Sequence, residues 1–90
     1  MSKVRFFALS QYVQAAINQA EYERDEDGII VAQVPGADGF YAQGETFEET
    51  RATLREVIEG NVVLALQLGW AIPAMAGVNI EERDVQALGA

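Results

Sequence analysis

The stretch EYERDEDGIIVAQVPGADGFYAQGETFEE, residues 21–49, decides the fold of this chain. Two segments with strand character, residues 20–24 and 29–34, lie on either side of residues 25–28, which read Asp-Glu-Asp-Gly. Gly28 can adopt a positive φ angle at low cost, as a tight turn requires. The pattern therefore predicts a β-hairpin.

The same stretch continues into a third strand and a helix. Pro35 and Gly36 end the second strand, and the bend after them leads into a short third strand at residues 40–43. Thr46 is followed three residues later by Glu49, the spacing of a capping box. A long helix is therefore predicted to begin directly after the third strand.

This long helix carries one apolar stripe and is predicted to end at Gly69. Its stripe consists of Phe47, Leu54, Val57, Ile58, Val62, Ala65 and Leu68. After the helix, Trp70 and Ile72 are expected to pack against the core. Val78 and Ile80 alternate with polar residues, as a final strand would.

A second, shorter amphipathic helix precedes the hairpin. Its apolar positions follow helical spacing, and they are Leu9, Tyr12, Val13, Ala16, Ile17 and Ala20. Ser10 is the expected N-cap, because a serine hydroxyl can accept from the first free amides of a helix. Residues 1–8 have no assigned structure.

The DEDG turn, the strand ending in VPG and the GETFEE helix start, in this order, resemble the HicB family of antitoxin-like domains. The resemblance implies an α+β fold of the small, partial ribonuclease-H-like type. The expected order is α-β-β-β-α-β, an antiparallel three-stranded meander with one long helix packed on it. Residues 1–90 form a single domain, with a lead-in and helix at 1–19, a core at 20–83 and a tail at 84–90.

The composition excludes most catalytic chemistry. The chain has no Cys and no His, which removes the thiolate nucleophile, the commonest acid–base group and the usual zinc ligands. We therefore expect a protein that is not an enzyme and uses no cofactor. No apolar run is long enough to span a membrane, and no signal peptide is recognisable, so a cytoplasmic location is expected.

The negative net charge favours a protein partner over nucleic acid. The net charge of −8 disfavours direct binding to nucleic acid. Asp25, Glu26 and Asp27 could suggest a calcium loop, but when Gly28 is placed at the sixth position of such a loop, the twelfth falls on Val34, which is not a ligand. We expect no metal there, and these three residues are instead the candidate contacts for a basic partner.

The second strand of the hairpin is apolar on both faces for most of its length. One face can pack on the long helix, and the other is expected to meet the N-terminal helix or another subunit. A homodimer or tetramer is therefore predicted, with Ile29 and Val31 as candidate interface residues.

The HicB resemblance implies a specific function. Such proteins bind a small, basic, mRNA-cleaving toxin of the HicA type and occlude its active site. Full-length members commonly carry a C-terminal DNA-binding module, for which the seven residues beyond Arg83 are too few. The alternative is a stand-alone homo-oligomeric adaptor that has no toxin partner. A small hydrolase is a third and least favoured interpretation.

Overall fold

The structure, a computed structural model, describes residues 3–84 as seven elements. They are β1 (Lys3–Phe6), α1 (Leu9–Gln19), β2 (Glu21–Arg24), β3 (Ile30–Gln33), β4 (Tyr41–Gly44), α2 (Phe47–Leu68) and β5 (Glu81–Asp84). Strands β2, β3 and β4 form an antiparallel sheet in that order, and β1 pairs antiparallel with β5. The three-stranded meander and its long helix are confirmed.

The hairpin between β2 and β3 closes as the sequence predicts. Gly28 has a φ of 82° and donates its amide to the Asp25 carbonyl at 3.1 Å. The register places Tyr22 opposite Ala32. Ala32 also lies opposite Ala42 on β4, so small side chains occupy the middle of the sheet under α2.

Helix α2 is fixed at both ends by the predicted signals. The Thr46 hydroxyl accepts from the Glu49 amide at 3.0 Å. Gly69 has a φ of 72°, and its amide donates to the Ala65 carbonyl, which ends the helix. The buried side of α2 consists of Thr50, Leu54, Ile58, Val62 and Ala65.

Helix α1 packs beside α2 and joins the same core. Tyr12 is fully buried, lies edge-on to Phe40 with ring centroids 6.4 Å apart, and donates its hydroxyl to the Pro73 carbonyl. Arg55 on α2 donates to the Gln14 side chain on α1 at 3.1 Å. The core therefore lies between the two helices and one face of the sheet.

The two ends of the described chain differ from the sequence prediction. Residues 1–8 had no assigned structure, yet Lys3–Phe6 form β1. The final strand was predicted at Val78 and Ile80, but β5 is Glu81–Asp84. Val78 and Ile80 instead pack against the core from the connecting segment, so their alternation reflected burial and not strand pairing. The order is therefore β-α-β-β-β-α-β, and residues 85–90 of the predicted tail lie outside the described residues.

Three local predictions were also wrong. The N-cap of α1 is Ala8, not Ser10, because the chain turns into the helix directly after β1 and the first helical bond runs from the Tyr12 amide to the Ala8 carbonyl. Trp70 does not pack into the core and is 58% exposed. Leu68 and Phe47, both predicted on the buried stripe, are also about half exposed.

Candidate functional site

The face of the sheet turned away from α2 is the first candidate surface. The strand register defines two rows of side chains across it. One row is Glu23, Val31 and Gln43, and the other is Glu21, Gln33 and Tyr41. We call these six residues the outer sheet face.

The outer sheet face is open to solvent and acidic at one edge. Glu21, Glu23, Val31 and Gln33 line a shallow hollow. Val31 is half-buried among its neighbours, and Tyr41 is 48% exposed. An apolar centre with two carboxylates along edge strand β2 can bind a basic protein surface.

The basic residue that follows Glu23 in the chain lies on the opposite face of the sheet. Arg24 pairs with Ile30 in the register, on the side that packs on α2. Its guanidinium lies 5.7 Å from the centre of the Phe47 ring and donates to the Gly28 carbonyl at 3.3 Å. The alternation of β2, which reads Glu-Tyr-Glu-Arg, therefore leaves its two carboxylates together on the outer side.

The hairpin tip carries the three acidic residues predicted as partner contacts, and the structure gives them different roles. One Asp25 side-chain oxygen accepts from the amides of Asp27 and Ile29, each at 2.9 Å. Asp25 therefore stabilises the turn. Glu26 and Asp27 are exposed at the tip of the hairpin, which follows β2 in the chain.

The structure gives Ile29 and Val31, the predicted oligomer contacts, different neighbours. Ile29 precedes β3 and is part of the closed turn, while Val31 lies in a row between Glu23 and Gln43. The N-terminal helix does not cover this face, because α1 packs on the α2 side of the sheet. The neighbouring strands place Glu23 and Gln43 on either side of Val31, so the open face of the sheet is less apolar than β3 alone.

Sequence reasoning missed the contribution of Glu21 and Glu23. A signal was present in the two-residue alternation of β2, which places both carboxylates on one face once the strand is paired. The three acidic residues of the hairpin tip were predicted as the partner contacts instead, because they are adjacent in the chain.

Two observations bear on metal binding and acid–base chemistry in the described part of the chain. Within it, no three His, Cys, Asp or Glu side chains are grouped so that they could hold a metal ion. Burial raises the pKa of Tyr12 to about 12, but this hydroxyl lies in the core and binds the Pro73 carbonyl.

Comparison with known proteins agrees with the fold. The sequence model of the UPF0150-like family matches residues 11–73, from α1 to the segment after α2. The chain belongs to this family. It is the HicB-like family that the turn and helix-start motifs resemble.

Two relatives illustrate the similarity. The UPF0150 protein ssr1258 of Synechocystis is 54% identical over 37 residues, which are 41% of this chain and 54% of that protein. The match thus spans about half the length of that curated relative. The crystal structure of TTHA0281 from Thermus thermophilus superposes with a TM-score of 0.74 at 28% identity, covering 81% of this chain and 91% of that one.

Among the residues that the structure describes, neither helix is both long and apolar enough to cross a membrane.

Proposed function

We propose that this protein is a non-enzymatic, HicB-like antitoxin-type module, which binds a small basic mRNA-cleaving toxin of the HicA type and occludes its active site. The observation that carries the proposal is the acidic edge of the outer sheet face in a member of the UPF0150-like family. Within this proposal the complex forms in the cytoplasm, without direct contact between this chain and nucleic acid.

The charge distribution supports a basic partner. Glu21 and Glu23 lie on the outer side of β2, and Glu26 and Asp27 are exposed at the hairpin tip that follows β2. The chain as a whole carries a net charge of −8. A basic toxin is attracted toward such an edge, and complementary charge mainly accelerates association.

The uncharged part of the outer sheet face supports a lasting contact. Val31 offers an apolar centre, and the Tyr41 ring is exposed beside it on β4. Tyrosine supplies a large, amphipathic contact at a binding surface. The acidic edge thus accounts for attraction and the apolar centre for the stability of the complex.

The test begins with a search beside this gene for a reading frame that encodes a small basic protein, and with purification of the protein it encodes. Its complex with the purified chain is measured by stopped-flow association across a salt series, together with its RNA cleavage in the presence of the chain. The wild-type chain is expected to form a complex and to inhibit cleavage. The double variant Glu21→Gln/Glu23→Gln is expected to associate about tenfold more slowly at low salt.

A matched control removes two carboxylates from the other side of the molecule. Glu56→Gln/Glu59→Gln on α2 changes the net charge equally and is expected to slow association much less. Equal slowing by both pairs would show a general charge effect and contradict the assigned surface. Absence of any complex with the neighbouring basic protein would overturn the antitoxin function and favour the stand-alone adaptor.

A further inference from the structure

Strand β2 is an edge of the three-stranded sheet. Among the described strands it pairs with β3 alone, and Glu21, Glu23 and Arg24 are exposed along it. An edge strand carries backbone amides and carbonyls with which a further strand can pair. An edge that is left open is therefore a place where an extended chain can bind.

The hairpin shows which backbone groups of β2 face outward. The Asp25 amide donates to the Ile29 carbonyl at 2.8 Å, so these two residues form a hydrogen-bonded pair. Hydrogen-bonded and non-hydrogen-bonded pairs alternate along an antiparallel ladder, so Glu23 turns its backbone groups toward β3. The amides and carbonyls of Tyr22 and Arg24 therefore point away from β3, into the open side of the edge.

A hollow lies beside these backbone groups, on the side of the sheet that packs on α2. It is lined by Tyr22, Phe47, Glu48 and Arg51, and we call it the Phe47 hollow. The Tyr22 and Phe47 rings meet edge-on with their centroids 5.9 Å apart, yet Phe47 is still 51% exposed. The hollow has a volume of about 280 Å³. Sites for drug-sized molecules measure roughly 300–1,000 Å³, so the Phe47 hollow suits a single side chain.

The charges around the Phe47 hollow favour an apolar or aromatic side chain. The Arg24 guanidinium lies 5.7 Å from the centre of the Phe47 ring, and Arg51 lines the hollow itself. Two guanidinium groups against the one carboxylate of Glu48 disfavour a basic side chain here. An aromatic ring, by contrast, can stack on a guanidinium.

The outer side of β2 favours basic side chains. Glu21 and Glu23 flank Tyr22 in the chain and lie on the outer sheet face. Side chains of an added strand would alternate between the two faces of the sheet, and opposite charges on neighbouring strands attract each other. A segment that pairs with β2 therefore fits best when basic residues stand on both sides of one apolar or aromatic residue.

We propose that β2 binds an extended segment of a partner protein as a fourth strand of this sheet, with basic side chains beside Glu21 and Glu23 and one apolar or aromatic side chain in the Phe47 hollow. In antiparallel pairing, the more stable kind, the residue in the hollow exchanges both backbone hydrogen bonds with Tyr22. A second copy of β2 fits poorly, because the glutamates of the two copies would lie side by side. The identity of the partner rests on the proposed function, in which the basic toxin supplies the segment.

A synthetic peptide tests the added strand without the toxin. The probe is a short, fluorescently labelled peptide in which lysine alternates with threonine around one central phenylalanine, and anisotropy measures its binding. N-methylation of the phenylalanine amide removes the donor to the Tyr22 carbonyl and is expected to weaken binding at least about tenfold. N-methylation of an adjacent lysine amide, which points away from β2, is the control and should change binding little. Equal binding of the two methylated peptides overturns the proposal.

Variants of the chain test the Phe47 hollow with the same peptide. Phe47→Ala is expected to weaken binding at least about tenfold, because the hollow loses one wall. Leu68→Ala is the matched control, since Leu68 is 52% exposed at the other end of the same helix. Circular dichroism checks that both variants are folded. Equal binding by Phe47→Ala and Leu68→Ala contradicts the assigned hollow.

Amide hydrogen exchange gives a direct readout of the edge. With saturating peptide, the Tyr22 and Arg24 amides are expected to exchange at least about tenfold more slowly, because each gains an acceptor. The Glu23 amide already faces β3 and should change less. A peptide that binds the outer sheet face alone leaves the Tyr22 and Arg24 amides unchanged, which overturns the proposal. Protection that appears when the chain alone is concentrated would assign the edge to a second copy and also overturn it.

The same amides separate this proposal from the proposed function. If the peptide protects Tyr22 and Arg24 but no basic protein encoded beside the gene forms a complex, the edge site stands and the antitoxin function fails. If such a protein binds and is inhibited while both amides exchange as in the free chain, the antitoxin function stands and the edge site fails.

Discussion

Thr50 lies so close to Gly44 that a Cβ built on the glycine would be 2.7 Å from the Thr50 hydroxyl oxygen. The Thr50 backbone is also near, with its nitrogen at 3.1 Å and its Cα at 3.3 Å from that position. Thr50 is fully buried, and its hydroxyl donates to the Thr46 carbonyl at 2.8 Å. This contact joins the end of β4 to the first turns of α2.

Gly44→Ala is therefore expected to destabilise the protein by about 1–3 kcal/mol, because backbone atoms would have to move to accept the methyl group. Denaturant unfolding in dilute solution measures the free energy. Gly60→Ala is the control, since open space surrounds that position, and it is expected to stabilise the chain by about 0.5–1 kcal/mol. If Gly44→Ala is as stable as the wild type, the close contact between Gly44 and Thr50 is not present.

Thr46→Ala is expected to cost about 1 kcal/mol, because the Glu49 amide loses the hydroxyl that caps α2. Thr46→Ser keeps an acceptor and should restore most of this loss. Ser10→Ala is a matched control, since Ser10 lies inside α1 and does not cap it; its stability should be unchanged or higher by up to about 0.5 kcal/mol. Equal losses for Thr46→Ala and Ser10→Ala would contradict the assigned caps.

The difference between Thr46 and Ser10 shows which helix ends could be predicted from the sequence. Thr46 is followed by a glutamate at the capping-box position, and Gly69 ends the same helix, so local chemistry fixes both ends of α2. Ser10 also had a suitable residue type, but the start of α1 depends on β1, whose pairing partner is β5. A pairing between segments almost eighty residues apart leaves no local signal in so short a strand.

For the candidate surfaces, too, some features could be predicted from the sequence and others could not. The alternation of β2 was visible, but whether Val31 lay on a covered or an open face depended on where α1 packs. Trp70 was expected as a packing anchor after the long helix, yet its side chain is 58% exposed. Sequence periodicity shows which residues share a face and gives no direct information on what covers that face.

Asp25→Ala is expected to lower the free energy of unfolding by about 1 kcal/mol, because two turn amides lose their acceptor. Asp25→Asn retains an oxygen at the same place and should lose much less. Asp27→Ala is expected to stay within about 0.5 kcal/mol of wild type, since its side chain is exposed. A stable Asp25→Ala chain would show that the turn does not need this carboxylate.

Tyr12 makes the stability of the chain sensitive to alkaline pH. Burial raises its pKa to about 12 from the ordinary value of 10.0. The folded state therefore holds its phenolic proton more tightly than the unfolded state. The resulting stabilisation is complete below pH 10 and is lost as the pH rises from 10 through 12; a difference of this size corresponds to up to about 3 kcal/mol.

The expected measurement is the free energy of unfolding of the wild type and of Tyr12→Phe between pH 8 and pH 12. At pH 8 the variant should be less stable by about 1 kcal/mol, because the Pro73 carbonyl loses its donor. As the pH rises the wild type should lose stability faster than the variant, since only the wild type carries this ionising group in its core. The two chains differ only at this hydroxyl, so the difference between their stabilities isolates Tyr12. Parallel curves for the two chains would show that the hydroxyl is not held in a buried, neutral state.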